Sequence, residues 1–329
     1  MRKLASIQII NDIKPIENAD NIEVARVLGW LVVVKKDEFK IGDKVIYVEI
    51  DSVLPEKPEF EFMRNKKFKV KTIKLRGQIS QGICFPLSIL PESEYNEDDD
   101  VTDLLNIVKY EKPIPAQLQG QAKGNFPSFV PKTDETRVQV LQKLLSKYKD
   151  TKCYITEKLD GCSATYYLKD GEFGVCSRNI DLKDTEGNTY WEIAKKYDIE
   201  NKLRKMNKNI AIQGEIIGDG IQGNKYKLKQ GERKFYMFNI FDIDEYKYLS
   251  CLNYYKLLEL DVVPVVDDNF QLIDDIDLLV KISEGKSIIN DKTNREGLVI
   301  RPQEETEDIR LGRLSFKVIN PMFLLKYNE

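Results

Sequence analysis

The stretch Glu157-Lys158-Leu159-Asp160-Gly161 decides how this chain is read. The apolar alternation of Lys152–Leu159 before it predicts a strand, and Ser163–Leu168 after it predicts another. One strand therefore delivers a single lysine, and an Asp-Gly turn sends the chain back. Glycine permits so tight a reversal. Alone, K-x-D-G is a weak signal, equally suited to an ordinary hairpin with an exposed lysine.

The pieces that follow it in order weigh against the ordinary hairpin. Ser177-Arg178-Asn179 closes the next strand, Phe173–Cys176. Gln213-Gly214-Glu215-Ile216-Ile217-Gly218 sets a carboxylate in an apolar strand. Phe235-Tyr236-Met237-Phe238-Asn239-Ile240-Phe241-Asp242 is aromatic-rich. Glu296-Gly297-Leu298-Val299-Ile300-Arg301 opens a strand with a carboxylate, and Ser315-Phe316-Lys317-Val318-Ile319-Asn320 adds a lysine to a late one.

Composition limits the alternatives. With 329 residues the chain has material for roughly two domains. Lys and Arg number 51 against 54 Asp and Glu, a net charge of -3, so a nucleic-acid partner needs local basic patches rather than bulk charge. The absence of histidine excludes Ser-His-Asp triads, Cys-His pairs and His-ligated zinc. Five cysteines, none in CxxC spacing, fit buried free thiols in a reducing compartment. The longest near-continuous apolar run, Val27–Val34, is too short to span a bilayer, and no signal-like stretch follows Met1. The expected location is intracellular, in the cytoplasm, and the default state is a monomer.

Residues 1–107 read as short strands punctuated by Gly29, Gly42, Pro55 and Gly77, which suits a small barrel. One predicted strand, Lys67–Ile73, places Lys67, Lys69 and Lys71 on one face and Phe68 and Val70 on the other, a pattern for phosphate-backbone contact. A solvated edge strand guarded by lysines would look the same. Acidic residues crowd 92–103, and the prolines and glycines of 108–132 predict a linker without regular structure. From 133 to 329 helices expected at Thr133–Lys147, Thr189–Tyr197, Leu252–Leu260 and Ile276–Glu284 mix with strands without βαβ alternation. The fold class is α+β: a β-barrel, then antiparallel sheets with flanking helices.

Along residues 150–320 the ordered pieces resemble the covalent nucleotidyltransferase superfamily of RNA ligases, DNA ligases and mRNA capping enzymes. Ile13-Lys14-Pro15-Ile16-Glu17-Asn18-Ala19-Asp20, Gln121–Pro127 and Val130–Glu135 are similar to one branch, the nick-sealing RNA ligases with an amino-terminal OB-fold domain. Only residues 318–329 follow Lys317, whereas DNA ligases and capping enzymes carry an OB domain after that motif. The resemblance implies an OB-fold barrel, a nucleotidyltransferase domain, ATP, a divalent metal (Mg²⁺ or Mn²⁺), and a nicked duplex with RNA on the 3'-hydroxyl strand. A related DNA ligase, a capping-type enzyme or a non-catalytic nucleic-acid-binding protein are the alternatives.

The resemblance also implies roles. Lys158 accepts AMP, Arg178 contacts nucleotide or 5'-phosphate, and Lys317 contacts the α-phosphate. Phe238 stacks on adenine, and Glu157 lies beside the nucleotide. Asp160, Glu215 and Glu296 hold the metal directly or through water, and Glu215 alternatively binds ribose. A lysine nucleophile must lose its proton, and its ordinary pKa is ~10.4, so Lys158 is expected to be depressed by the metal, Lys317 and Arg178. One departure stands out. Relatives often carry K-x-K in the last motif; here the second position is Ile319, and Lys326 is the remaining candidate substitute.

Overall fold

The computed structural model describes residues 2–111, 116–250 and 256–327. The main sheet of the amino-terminal domain has five antiparallel strands, in the order Trp30–Lys35, Ile22–Val27, Ala5–Pro15, Lys44–Val48, Ile83–Phe85. The 11-residue strand Ala5–Pro15 serves two partners. Residues Ala5–Ile9 pair with Lys44–Val48, and Ile10–Pro15 pair with Glu23–Val27. A register shift between Ile10 and Asp12 bends the strand where it changes partner, which curls a small sheet towards closure. Trp30, Tyr47 and Phe60 are fully buried inside.

The strand expected at Lys67–Ile73 is a correction. Pro58–Lys66 forms a 3₁₀ helix, and both Lys67 and Phe68 then take left-handed backbone, φ 53° and 56°. This hook drops Phe68 into the core, and Val70 and Thr72 follow it. The period-two burial read from the sequence is real, but residues 67–71 form an isolated bridge from Lys69 to Val53, with backbone hydrogen bonds to residues 51–54, rather than a strand. Lys67, Lys69 and Lys71 therefore do not share a strand face. The true strand, Thr72–Leu75, turns through Arg76-Gly77 into Gln78–Gln81.

Two sheets build the second domain. The larger runs Ala122–Asn125, Ile180–Leu182, Glu172–Cys176, Cys162–Lys169, Ile210–Gly218, Arg233–Asp242, Lys247–Leu249, all antiparallel. The smaller runs Thr136–Arg137, Phe316–Ile319, Gly297–Pro302, Lys152–Lys158, Val265–Gln271. Helices Thr189–Lys196 and Ile276–Ser283 fall where the sequence places them, each capped by a preceding Asn188 or Asp275 side chain. The helix expected over Thr133–Lys147 is confined to Gln142–Lys147. Thr136–Arg137 instead extends parallel to Phe316–Lys317, and Val138, wholly buried, begins a 3₁₀ turn. Of the helix expected at Leu252–Leu260, residues 252–255 lie outside the described ones and 256–258 are helical.

The stretch 108–132 is not wholly irregular. Val108–Lys109 pairs with Ser52–Val53 in the barrel, and Ala122–Asn125 edges the larger sheet. Phe126, Phe129 and Val130 pack on Tyr167 and Phe241. Cys84, Cys153 and Cys176 are buried free thiols and Cys162 is half-buried; Cys251 lies outside the described residues.

The two domains are packed together. Ile319 and Leu324 belong to the same apolar core as Trp30 and Phe68. Arg26 pairs with Asp277 at 2.8 Å, and the Gly29 N–H donates to the Gln139 carbonyl at 2.9 Å. A Cβ on Gly29 would lie 2.9 Å from that backbone, so only glycine allows the approach.

Candidate active site

Strand Lys152–Lys158 belongs to the smaller sheet and strand Cys162–Lys169 to the larger. Leu159-Asp160-Gly161 is the crossing between them, and Lys158 stands where the sheets part. Gly161 fits because its Cα lies hard against the next strand: a Cβ there would be 2.2 Å from the Ile216 carbonyl oxygen. A cleft of about 1940 Å³ opens at this crossing, lined among others by Lys158, Asp160, Arg178, Glu215, Glu296 and Lys317. Residues spread over 160 positions of sequence thus meet in one place.

Strand register explains who meets whom. Lys158 lies opposite Gly297, so the preceding Glu296 reaches back, and Lys158 Nζ donates to Glu296 Oε1 and Oε2 at 2.7 and 2.8 Å. Lys317 lies opposite Val299 on one side and beside Arg137 on the other. Arg178 pairs with Asp134 at the exposed edge. Asp160 pairs with Lys225 at 2.6 Å, and its N–H donates to the Tyr226 hydroxyl at 2.8 Å.

The charges differ from expectation in one respect. Burial opposes the Lys158 ammonium, but Glu296, Glu215 and Asp160 outweigh it and hold its pKa above the ordinary lysine value. The depressed lysine is Lys317, brought down to about 7 by burial and by the Arg137 and Lys158 charges, with Asp134 opposing. Glu215 is pushed up to about 8 by burial, with Glu296 and Asp160 adding to the rise and Lys158 opposing it.

Among the described residues, no three carboxylates stand close enough together to grip one metal ion directly. Glu296 is engaged by Lys158 and Asp160 by Lys225, so the expected direct set of Asp160, Glu215 and Glu296 is not assembled. The donor chemistry still suits a hydrated divalent cation. Hard oxygen ligands surround the site, and a cation there would favour the ionised form of Glu215, which burial above all, then Glu296 and Asp160, disfavours.

Phe238 reaches the cleft through a backbone device. Gln213 pairs with Asn239 but Gly214 with Met237, leaving Phe238 as the extra residue of a bulge. Met237 and Ile240 stay in the core while Phe238, half-buried, packs with Leu159 and Val263 at the cleft wall. Glu157 is different. Its strand position borders the cleft, but its carboxylate accepts from the Ile288 N–H at 2.7 Å and braces that loop. Lys69 faces the cleft from the barrel side, its Nζ 3.3 Å from the centre of the Tyr110 ring, whereas Lys67 is exposed and does not line the cleft. Lys326 also stays outside the cleft, exposed beside Tyr327.

Several cleft residues escape a motif reading. Arg137 was hidden inside a predicted helix; in the fold it bonds Asp51 of the barrel at 3.0 Å. Asp51 also has Arg2 at 3.6 Å, and Arg2 bonds Glu49 at 2.6 Å. Burial opposes the Asp51 charge, but Arg137 and Arg2 overcome it and hold the carboxyl at about 2. The barrel therefore places a charged network within the electrostatic reach of Lys317. Nothing in the spacing of residues 2, 51 and 137 announces it.

Comparisons with known proteins agree with this architecture. A family model described as an OB-fold domain matches residues 4–87, and one described as RNA ligase matches residues 151–319. No curated protein matches the chain. Among solved structures, Naegleria gruberi RNA ligase with PPi is 38% identical, covering 100% of this chain and 99% of that one, with a TM-score of 0.90. A mutant of the same ligase with ATP and Mn, and another with AMP and Mn, are each 38% identical over 98% of both chains, with TM-scores of 0.89. The matches span the barrel and both sheets of the second domain, and the chain belongs to the RNA ligase family, in the form that carries an amino-terminal OB-fold domain.

Proposed function

We propose that this RNA ligase uses ATP to form lysyl-AMP on Lys158, passes AMP to a 5'-phosphate, and seals 3'-hydroxyl/5'-phosphate nicks in duplexes whose 3'-hydroxyl strand is RNA. The observation that carries this reading is the lysine at the sheet crossing. Lys158 is held by both oxygens of Glu296 and shares its cleft with the depressed cation Lys317. ATP and a divalent metal are carried over from relatives that hold ATP and Mn.

In the first step Lys158 Nζ, having given its proton to Glu296 or solvent, attacks the α-phosphorus. The bond to pyrophosphate breaks and a phosphoramide forms. A hydrated divalent cation at Glu215, Glu296 and Asp160 would offset the carboxylates that keep Lys158 protonated and would stabilise charge on the α-phosphate. Lys317 meets the α-phosphate, and Arg137 and Arg2 extend its cationic wall towards the leaving pyrophosphate. An approaching phosphate would raise the pKa of Lys317, so this lysine takes up a proton as the charge arrives. Phe238, re-aimed by its bulge, offers a ring to adenine.

In the second step the donor 5'-phosphate oxygen attacks the same phosphorus, and the P–N bond breaks with its electrons returning to Lys158. In the third the 3'-hydroxyl attacks the 5'-phosphorus and expels AMP. Arg178, exposed at the cleft edge, suits the 5'-phosphate. Lys67, Lys69 and Lys71 supply phosphate-backbone contacts from the barrel without forming a strand. The protein acts as a monomer in this scheme. No helix among the described residues is long and apolar enough to cross a membrane.

Label transfer tests the reading. Incubation with α-labelled ATP and magnesium or manganese should leave label on denatured protein, and Lys158→Ala should abolish it. Wild-type protein, pretreated with pyrophosphate, that takes no label would refute the proposal. Label from GTP instead would turn it towards a capping-type transferase.

A further inference from the structure

Lys225 is absorbed by no motif of the sequence, yet it is one of the most enclosed cations in the molecule. Its side chain is 10% exposed, and its Nζ lies 2.6 Å from Asp160 Oδ2, itself on an 11% exposed side chain. The same ammonium lies 4.8 Å from the centre of the Phe323 ring and 4.4 Å from that of Tyr327. Those rings lie 4.6 Å apart, tilted at 54°, on the helix Pro321–Tyr327. The backbone around Lys225 is pinned: the Thr293 hydroxyl donates to the Lys225 carbonyl, and Asn290 Nδ2 donates to the Tyr226 carbonyl, each at 2.8 Å. Tyr226 in turn receives the Asp160 N–H.

An enclosed ammonium beside a carboxylate costs desolvation that surface lysines avoid, so the arrangement is maintained against an opposing force. The rings compensate part of that cost through their negative faces. Leu324 of the same helix belongs to the barrel core, so the cage is closed only when the helix is seated against the amino-terminal domain.

We propose that Lys225 is a positioning residue for lysine adenylylation. It fixes the Asp160 carboxylate in the cleft beside Lys158, and the aromatic pair Phe323 and Tyr327 ties that orientation to the seating of the carboxy-terminal helix. The role rests on the lysyl-AMP reading above.

The test compares Lys225→Met, Lys225→Arg and Tyr327→Leu with wild type in single-turnover label transfer at varied ATP, with Tm measured on each. Lys225→Met keeps the stem and loses the charge. It should lower the rate at saturating ATP by ~10-fold or more, with KM changed less, because the lost interaction acts on the chemical step. Lys225→Arg, which keeps both the ion pair and the ring contact, should recover most of the rate. Tyr327→Leu should fall between the two. Lys225→Met labelling at the wild-type rate overturns the role, as does Lys225→Arg losing as much as Met, or loss of rate only in step with loss of Tm. Wild-type protein that takes no label sinks the lysyl-AMP reading itself, whereas a labelled wild type with an equally labelled Met variant sinks only this role.

Discussion

Lys317→Met should stabilise the protein while disabling it. The side chain is brought from 10.5 to about 7 by burial and by the Arg137, Lys158 and Arg2 charges around it. Its folded value lies below its unfolded one, so between the two the unfolded chain binds the extra proton. The lysine therefore destabilises the fold fully below the folded value, the penalty shrinks as pH rises from there, and it is gone above the unfolded value. The interval between the two values, at ~1.4 kcal/mol per pH unit, sets a ceiling of ~5 kcal/mol. Relaxation and water entry reduce such penalties in practice, so the expected gain at pH 6 is ~2 kcal/mol, a Tm rise of roughly 3 °C for a chain of this length. Urea or thermal unfolding at pH 6, 8 and 10.5, in chelator, reads it directly. The gain should shrink stepwise and nearly vanish at pH 10.5, and label transfer should be lost at every pH. A Met variant less stable than wild type at pH 6, or equally stabilised at pH 10.5, would refute the electrostatic account.

Gly297→Ala should destabilise by ~2–3 kcal/mol in urea, because its Cβ would lie 2.3 Å from the Val318 carbonyl and 2.9 Å from the Ile319 Cα, neither of which is a flexible side-chain end. Phe238→Leu should raise the KM for ATP by about 10-fold and leave the saturated rate nearly unchanged, since stacking acts on bound nucleotide before and during reaction alike. Replacing Lys67, Lys69 and Lys71 together by alanine should weaken duplex binding uniformly across sequences and flatten the slope of log K against log salt by up to about 3. An unchanged slope would remove these lysines from the interface.

The strands were legible because burial imposes period two and because glycine and proline mark the reversals. The order of Lys158, Arg178, Glu215, Phe238, Glu296 and Lys317 was legible because each chemistry-bearing residue sits next to a local signature. What failed to show shares one cause. The hook at Lys67 and Phe68 keeps strand-like burial without strand-like dihedrals, so pattern alone reads it wrongly. Thr136–Arg137 reads as helix from its neighbours but is captured by the edge of Phe316–Ile319, a partner about 180 residues away in sequence. Arg2, Asp51, Arg137 and Lys225 gain their meaning only from charges brought close by folding. The direction of the Lys158 and Lys317 shifts belongs to the same class, because it depends on which carboxylates and cations end up facing each lysine.

Ile319 and Leu324 pack against the barrel's apolar core although they are encoded at the far end of the chain. The sequence suggests a clean seam near residue 132, but the physical seam does not follow it. A shortened chain beginning at 133 would carry those two side chains bare to water, together with an Arg137 deprived of its carboxylate. A chain ending at 132 would leave the barrel side of that apolar contact bare. In a ribosome-borne order of events the barrel emerges early and stays incomplete until the last strand and helix arrive. Closing that contact is therefore tied to the placement of Lys317, two residues before Ile319, so the seam between the domains and the wall of the cleft share one strand.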